Sequence, residues 1–224
     1  FKDAFNKLDS GVIESLEYAA DNIRRYHEEQ LPGEMWMKEV RPGILAGERY
    51  TPIDSAAIYS PRGKGSFPSV TLMGAIPAVV AGVPDPIILT PAGPDGKIDP
   101  ATLVAAQLSG VEQVYKAGGA VAVASAAFGT ESIPKCLKIE GPGSPWLAAA
   151  KQLLSNQISS RVPAGPSDSI VFADSTANPR LAAMDLLIES EHGTDSSVFL
   201  VTTSRKVADS VIKELPGYLT KMSE

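Results

Sequence analysis

Cysteine and histidine are nearly missing from this sequence. Its 224 residues include one cysteine, Cys136, and two histidines, His27 and His192. One cysteine excludes a disulfide framework, a multi-cysteine zinc site and an iron–sulfur cluster. Two histidines exclude a three-histidine zinc site within one chain. Basic excess is missing too: 20 Lys and Arg face 26 Asp and Glu, for a net charge of −6. No nucleic-acid partner is expected of such a chain. No stretch of 18 residues is free of charges and turn formers, so no membrane span is expected. Phe1-Lys2-Asp3 opens neither a signal peptide nor a chain with an initiator methionine. The reading is a cytoplasmic protein whose natural start lies elsewhere.

The chain has the length and apolar content for a buried core, and its 19 glycines and 18 prolines predict many turns. Residues 10–30 read as an amphipathic helix with Ser10 as N-cap, because Ile13, Leu16, Ala20 and Ile23 recur at helical spacing. Leu31-Pro32-Gly33 ends it, and two short extended pieces follow near 43–50 and 56–60. From residue 66 onward strands and helices alternate. Helices are predicted from Pro68 to Val80, Pro100 to Leu108, Gly119 to Phe128, Ser144 to Leu154, Asn178 to about Glu191, and after Ser204. Strands are predicted at 87–90, 111–115, 170–173 and 198–202. These are continuous apolar runs, the pattern of strands buried on both faces of a parallel sheet. The fold class is α/β: incomplete Rossmann-like domains with helix-flanked parallel sheets after an N-terminal helix. In such sheets ligands bind beyond the carboxyl ends of the strands, so chemistry is expected in the loops that follow them.

Asp185, Glu189 and His192 are spaced i, i+4, i+7, which places them on nearly one face of the predicted helix. Glu189 and His192 form Glu-x-x-His, a pair able to reach one divalent metal ion, and other ligands must then come from elsewhere. The alternative is a solvated acidic helix end with His192 near the C-terminal dipole. Gly141-Pro142-Gly143-Ser144 precedes a helix, where backbone N–H groups can hold an anion. Ala164-Gly165-Pro166-Ser167 precedes a strand and can present Ser167. Each also reads as a plain turn. No G-x-G-x-x-G or P-loop fingerprint is present. His27 reads as a surface residue, Cys136 as a packing residue and Trp36 as a local hydrophobic anchor. Trp146 reads as core, or as a side chain lining whatever the Gly-Pro-Gly loop binds.

Taken in order, several segments resemble histidinol dehydrogenases: Ile58-Tyr59-Ser60-Pro61, Phe67-Pro68-Ser69-Val70-Thr71-Leu72-Met73, Tyr115-Lys116-Ala117-Gly118-Gly119-Ala120, Gly129-Thr130-Glu131-Ser132-Ile133-Pro134-Lys135, Gly141-Pro142-Gly143, Ala164-Gly165-Pro166-Ser167 and Glu191-His192-Gly193. The resemblance implies oxidation of L-histidinol to L-histidine through the aldehyde, with zinc and two NAD, in a homodimer. It implies that His192 and Glu189 are metal ligands, Glu189 standing where the family has glutamine. It implies that Ser167, Glu189 and His192 contact the amino alcohol substrate, and that Tyr59 and Ser144 contact NAD. Ser144 replaces an asparagine, Val121 a glutamine and Arg62 a glycine. The family's catalytic Glu-His pair and two further zinc ligands match positions beyond Glu224, so the chain is read as a central fragment of a divergent member. The expected division is 1–55 as an N-terminal segment, 56–167 as a Rossmann-like domain contacting NAD, and 168–224 as part of a second such domain with zinc ligands. Two alternatives remain: a paralogue oxidising another small polar alcohol, such as a hydroxylated sulfonate, and a non-catalytic binding domain.

Overall fold

The computed structural model describes residues 1–62, 65–161, 167–191 and 196–222. The chain forms two compact units, Phe1–Pro163 and Ala164–Glu224.

The first unit opens with α1 (Lys2–Phe5) and α2 (Ser10–Glu28). Asp9, not Ser10, caps α2; its carboxylate accepts the Gly11 N–H at 2.8 Å. A hairpin follows, β1 (Met35–Arg41) and β2 (Ile44–Arg49), turning at Pro42-Gly43. The sequence reading missed β1, because Met-Trp-Met-Lys-Glu-Val-Arg has no apolar/polar alternation. Both hairpin strands are exposed along their whole length. Trp36, read as a local hydrophobic anchor, is exposed on this hairpin, and its indole N–H donates to the Glu48 carboxylate at 3.3 Å.

Next come β3 (Ala56–Tyr59), α3 (Pro68–Val80), β4 (Ile87–Thr90), α4 (Pro100–Ser109), β5 (Gln113–Lys116), α5 (Gly119–Phe128), β6 (Lys138–Glu140) and α6 (Pro145–Leu153). Four strands make a parallel sheet in the order β5-β4-β3-β6. β3 and β4 are buried throughout, as continuous apolar runs predict. Alternate residues serve opposite faces. Ala57, Tyr59, Ile87 and Leu89 pack with α5 and α6, while Ile58 and Ile88 pack with α3 and α4. A third layer, α1 and α2, covers the outer side of α3 and α4 through Leu16, Ala20, Leu72, Ile76 and Val104. That sandwiching explains why α3 carries no charged residue. Cys136 lies fully buried in the α5–α6 core, as read. β6 was not expected, since Lys-Ile-Glu offers one apolar residue; its pairing with β3 is dictated by tertiary context.

The second unit contains β7 (Asp168–Ala173), α7 (Pro179–Ser190), β8 (Ser197–Thr202) and α8 (Arg205–Leu219). Asn178 and Ser204 cap the helices as their sequence positions predict. β7 and β8 pair in parallel. Both helices cover the same face, packing on Val171, Ala173, Val198 and Leu200. The other face carries Ile170 opposite Phe199 and Phe172 opposite Val201, all exposed. The expectation of burial on both faces fails for this sheet, because two strands and two same-side helices cover only one.

Candidate active site

In the first unit, consecutive strands β3, β4 and β5 step in one direction across the sheet, and β6 then adds on the opposite side of β3. The chain reverses its winding between β3 and β6, and a parallel sheet opens a ligand crevice beyond the carboxyl ends of the strands at such a point. Tyr59 ends β3 there and Gly141-Pro142-Gly143 leaves β6 there.

Tyr59 is nearly buried and joins two helix starts. Its hydroxyl accepts the Gly119 N–H at 3.1 Å, in the first turn of α5. Its ring and backbone lie against the Gly-Pro-Gly loop. A β-carbon at Gly141 would stand 2.0 Å from the Tyr59 carbonyl oxygen, and Gly141 has φ +118°. A β-carbon at Gly143 would stand 2.7 Å from Leu147 Cδ2 and 3.1 Å from Tyr59 Cε1. Only glycines permit this approach. The Ser144 hydroxyl caps α6, accepting the Leu147 N–H at 3.4 Å, so its polar atom already serves the helix. Val121 is exposed in the first turns of α5 and brings no hydrogen-bonding side chain to the crevice. Trp146 is 77% exposed, which overturns the core reading.

Two further side chains stand beside this site: Arg62, read from the sequence as replacing a glycine of the loop after Tyr59, and Lys151, which was not foreseen. Arg62 donates to the Lys97 carbonyl at 2.8 Å, tying the segment after β3 to the turn after β4. Lys151 is buried and donates to the Gly141 carbonyl at 2.6 Å. Its signal was a lysine on the apolar stripe of α6 beside Leu147, Ala150 and Leu154, where a charge needs a reason.

In the second unit, Ser167 stands exposed just before β7, and Glu189 is half-buried at the end of α7. The Ser196 hydroxyl, one residue before β8, donates to a Glu189 oxygen at 3.3 Å. The Ser167 carbonyl accepts the Ser197 N–H at 3.2 Å. These residues gather at the amino edge of β7 and β8, contrary to the expectation that chemistry follows the strands. Asp185 and Glu189 lie on α7, which runs from Pro179 to Ser190. His192 lies outside the described residues, as do Ala164, Gly165, Pro166 and Gly193. Among the described residues no three His, Cys, Asp or Glu side chains gather into a metal cluster. Glu189 by itself offers one donor of a kind that zinc accepts, a half-buried carboxylate that takes the Ser196 hydroxyl. For a dinucleotide, the starts of α5 and α6 come together beside Tyr59 at the carboxyl end of the sheet, where helix N-termini suit an anionic ligand, while the glycines serve the packing of the loop on Tyr59.

The sequence profile of the histidinol dehydrogenase family matches residues 1–224. The chain belongs to the histidinol dehydrogenase family. It is 58% identical over its full length to a protein of Mesorhizobium japonicum named histidinol dehydrogenase homolog 2, covering 51% of that protein. It is 46% identical over 99% of its length to the histidinol dehydrogenase of Synechocystis, again covering 51% of the relative. The crystal structure of histidinol dehydrogenase from Elizabethkingia anophelis superposes with a TM-score of 0.92 at 37% identity, over 99% of this chain and 51% of that one. The chain thus spans about half the length of the relatives it matches. No described helix is long and apolar enough to cross a membrane.

Proposed function

We propose that the longer protein to which this chain corresponds is a cytoplasmic, homodimeric, zinc- and NAD-dependent dehydrogenase that takes L-histidinol through the aldehyde to L-histidine. The observation that supports the reading is the β3–β6 reversal, where Tyr59, the glycine loop and the starts of α5 and α6 meet at the carboxyl end of the sheet, the place where such folds take a dinucleotide. In this reading Tyr59 and Ser144 line the cofactor site. Tyr59 also holds the start of α5 in place, its hydroxyl taking the Gly119 N–H, so that the helix N-terminus faces the cofactor site in this reading. Glu189 and His192 hold the metal, and Ser167 orients the substrate's polar groups. Zinc, when bound, polarises the alcohol oxygen and eases loss of its proton. The residues at the β7–β8 amino edge fix where that oxygen sits, with Ser196 holding Glu189 in place. No proton acceptor is assigned within this chain.

A second reading, a family member acting on another small polar alcohol such as a hydroxylated sulfonate, is favoured by specific observations. Glu189 brings a negative charge where the family has a neutral amide, and Val121 brings an apolar side chain where it has glutamine. The chain is also more similar to the relative named a homolog than to the one named histidinol dehydrogenase. Purified full-length protein with zinc and NAD decides the matter. NADH formation with L-histidinol supports the first reading. NADH formation only with another alcohol supports the second, and neither NADH formation nor zinc uptake would leave a binding domain.

A further inference from the structure

Lys151 is the only charged side chain buried among the described residues, at 6% exposure. An ammonium group withdrawn from water costs several kcal/mol unless strong acceptors replace the water. Leucine or methionine would fill the same space on the apolar stripe of α6 without that cost. The charge therefore needs a structural return, and the contacts show it. The Nζ donates to the Gly141 carbonyl at 2.6 Å, and the Glu140 carboxylate lies close enough to favour the charged form. Burial pulls the Lys151 pKa down and Glu140 pulls against it. Glu140 is in turn paired with Lys138 at 2.9 Å.

The geometry follows from helix construction. Side chains on a helix lean toward its N-terminus. Lys151 sits two turns after the Ser144 cap, so its long side chain runs back along α6 to the loop that feeds the helix. It grips that loop at Gly141, whose φ of +118° and close approach to the Tyr59 carbonyl seat the loop against the end of β3. Proline at 142 has no N–H to contribute.

We infer that Lys151 is a positioning residue: its ammonium holds the Gly141-Pro142-Gly143 loop against Tyr59 and so sets the shape of the cofactor crevice without touching the reacting atoms. The consequence for affinity rests on the NAD reading given above; the clamp itself does not.

The experiment compares full-length wild-type protein with Lys151→Met and Lys151→Gln, the second keeping a donor in case the first does not fold. Three quantities are read: amide hydrogen exchange across residues 141–147, NAD affinity by calorimetry, and zinc content. Losing a charge-assisted hydrogen bond from a buried site is expected to speed loop exchange and to weaken NAD binding about tenfold or more. Turnover at saturating NAD and zinc content stay near wild type, a split that general destabilisation would not produce. Unchanged loop exchange in a folded variant overturns the inference, as does exchange rising equally throughout the first unit. Faster exchange confined to the loop, with wild-type protein that binds no NAD, supports the clamp and overturns the cofactor reading instead.

Discussion

Tyr59 shows how much one side chain decides here. Its hydroxyl completes the start of α5 and its ring backs the glycine loop, so Tyr59→Phe removes a single hydrogen bond and leaves the packing. That change is expected to cost about 1 kcal/mol of stability, read from denaturant midpoints, and to loosen the first turn of α5. Ser196 has the corresponding place at the other site. Ser196→Ala removes one hydroxyl that orients the Glu189 carboxylate and is expected to lower zinc affinity of the full-length protein about tenfold, measured by chelator competition. Cys136 gives the pH dependence. Burial pushes its thiol from 9.0 up to about 11. The folded state therefore keeps a proton that the unfolded chain gives up first. The thiol's contribution to stability is full below about pH 9 and fades as pH rises toward 11, by an amount on the order of 1–2 kcal/mol. Comparing unfolding of wild type and Cys136→Ala at pH 8 and pH 10.5 checks this: the variant lacks that part of the alkaline loss. At this scale the sequence was only partly readable. Tyr59 was singled out by resemblance and Glu189 by its helical spacing as well, whereas Lys151 was hidden because a lysine on a helix usually points to water.

Elements were legible where local pattern and tertiary role agree. β3 and β4 are apolar because both faces are covered, and α4, α6, α7 and α8 begin with a capping residue that the sequence displays. The misses are equally instructive. β6 holds its place by pairing with β3, which no three-residue pattern can announce. β1 alternates nothing, and its strand character comes from Pro42-Gly43 bringing it against β2. That hairpin has neither face buried, and two strands alone are marginal in water. Its cross-strand amides in the 224-residue chain are expected to exchange on the scale of local opening, orders of magnitude faster than those of β3 and β4. Hydrogen exchange resolved by fragment would reveal a hairpin as protected as the central strands if this is wrong.

For the whole molecule, the contrast between the sheets matters most. The first unit covers both faces of its sheet; the second leaves Ile170, Phe172, Phe199 and Val201 bare on one. The apolar runs of β7 and β8 resemble those of the buried strands β3 and β4, so the difference could not be read from pattern. A contiguous apolar face of this kind favours association. The 224-residue chain is expected to self-associate at micromolar concentration, and Phe172→Lys, at a position 80% exposed, should reduce that without lowering thermal stability. Sedimentation velocity on both proteins checks it; identical profiles would refute it.

The solitary buried cysteine has one more consequence. Because Cys136 lies in the core of the first unit and no other thiol exists in the chain, a thiol reagent labels this protein only when that core opens. The labelling rate is thus a built-in clock for the first unit, blind to the second. Set beside a signal that follows the whole chain, it tells whether the two units unfold together or one at a time.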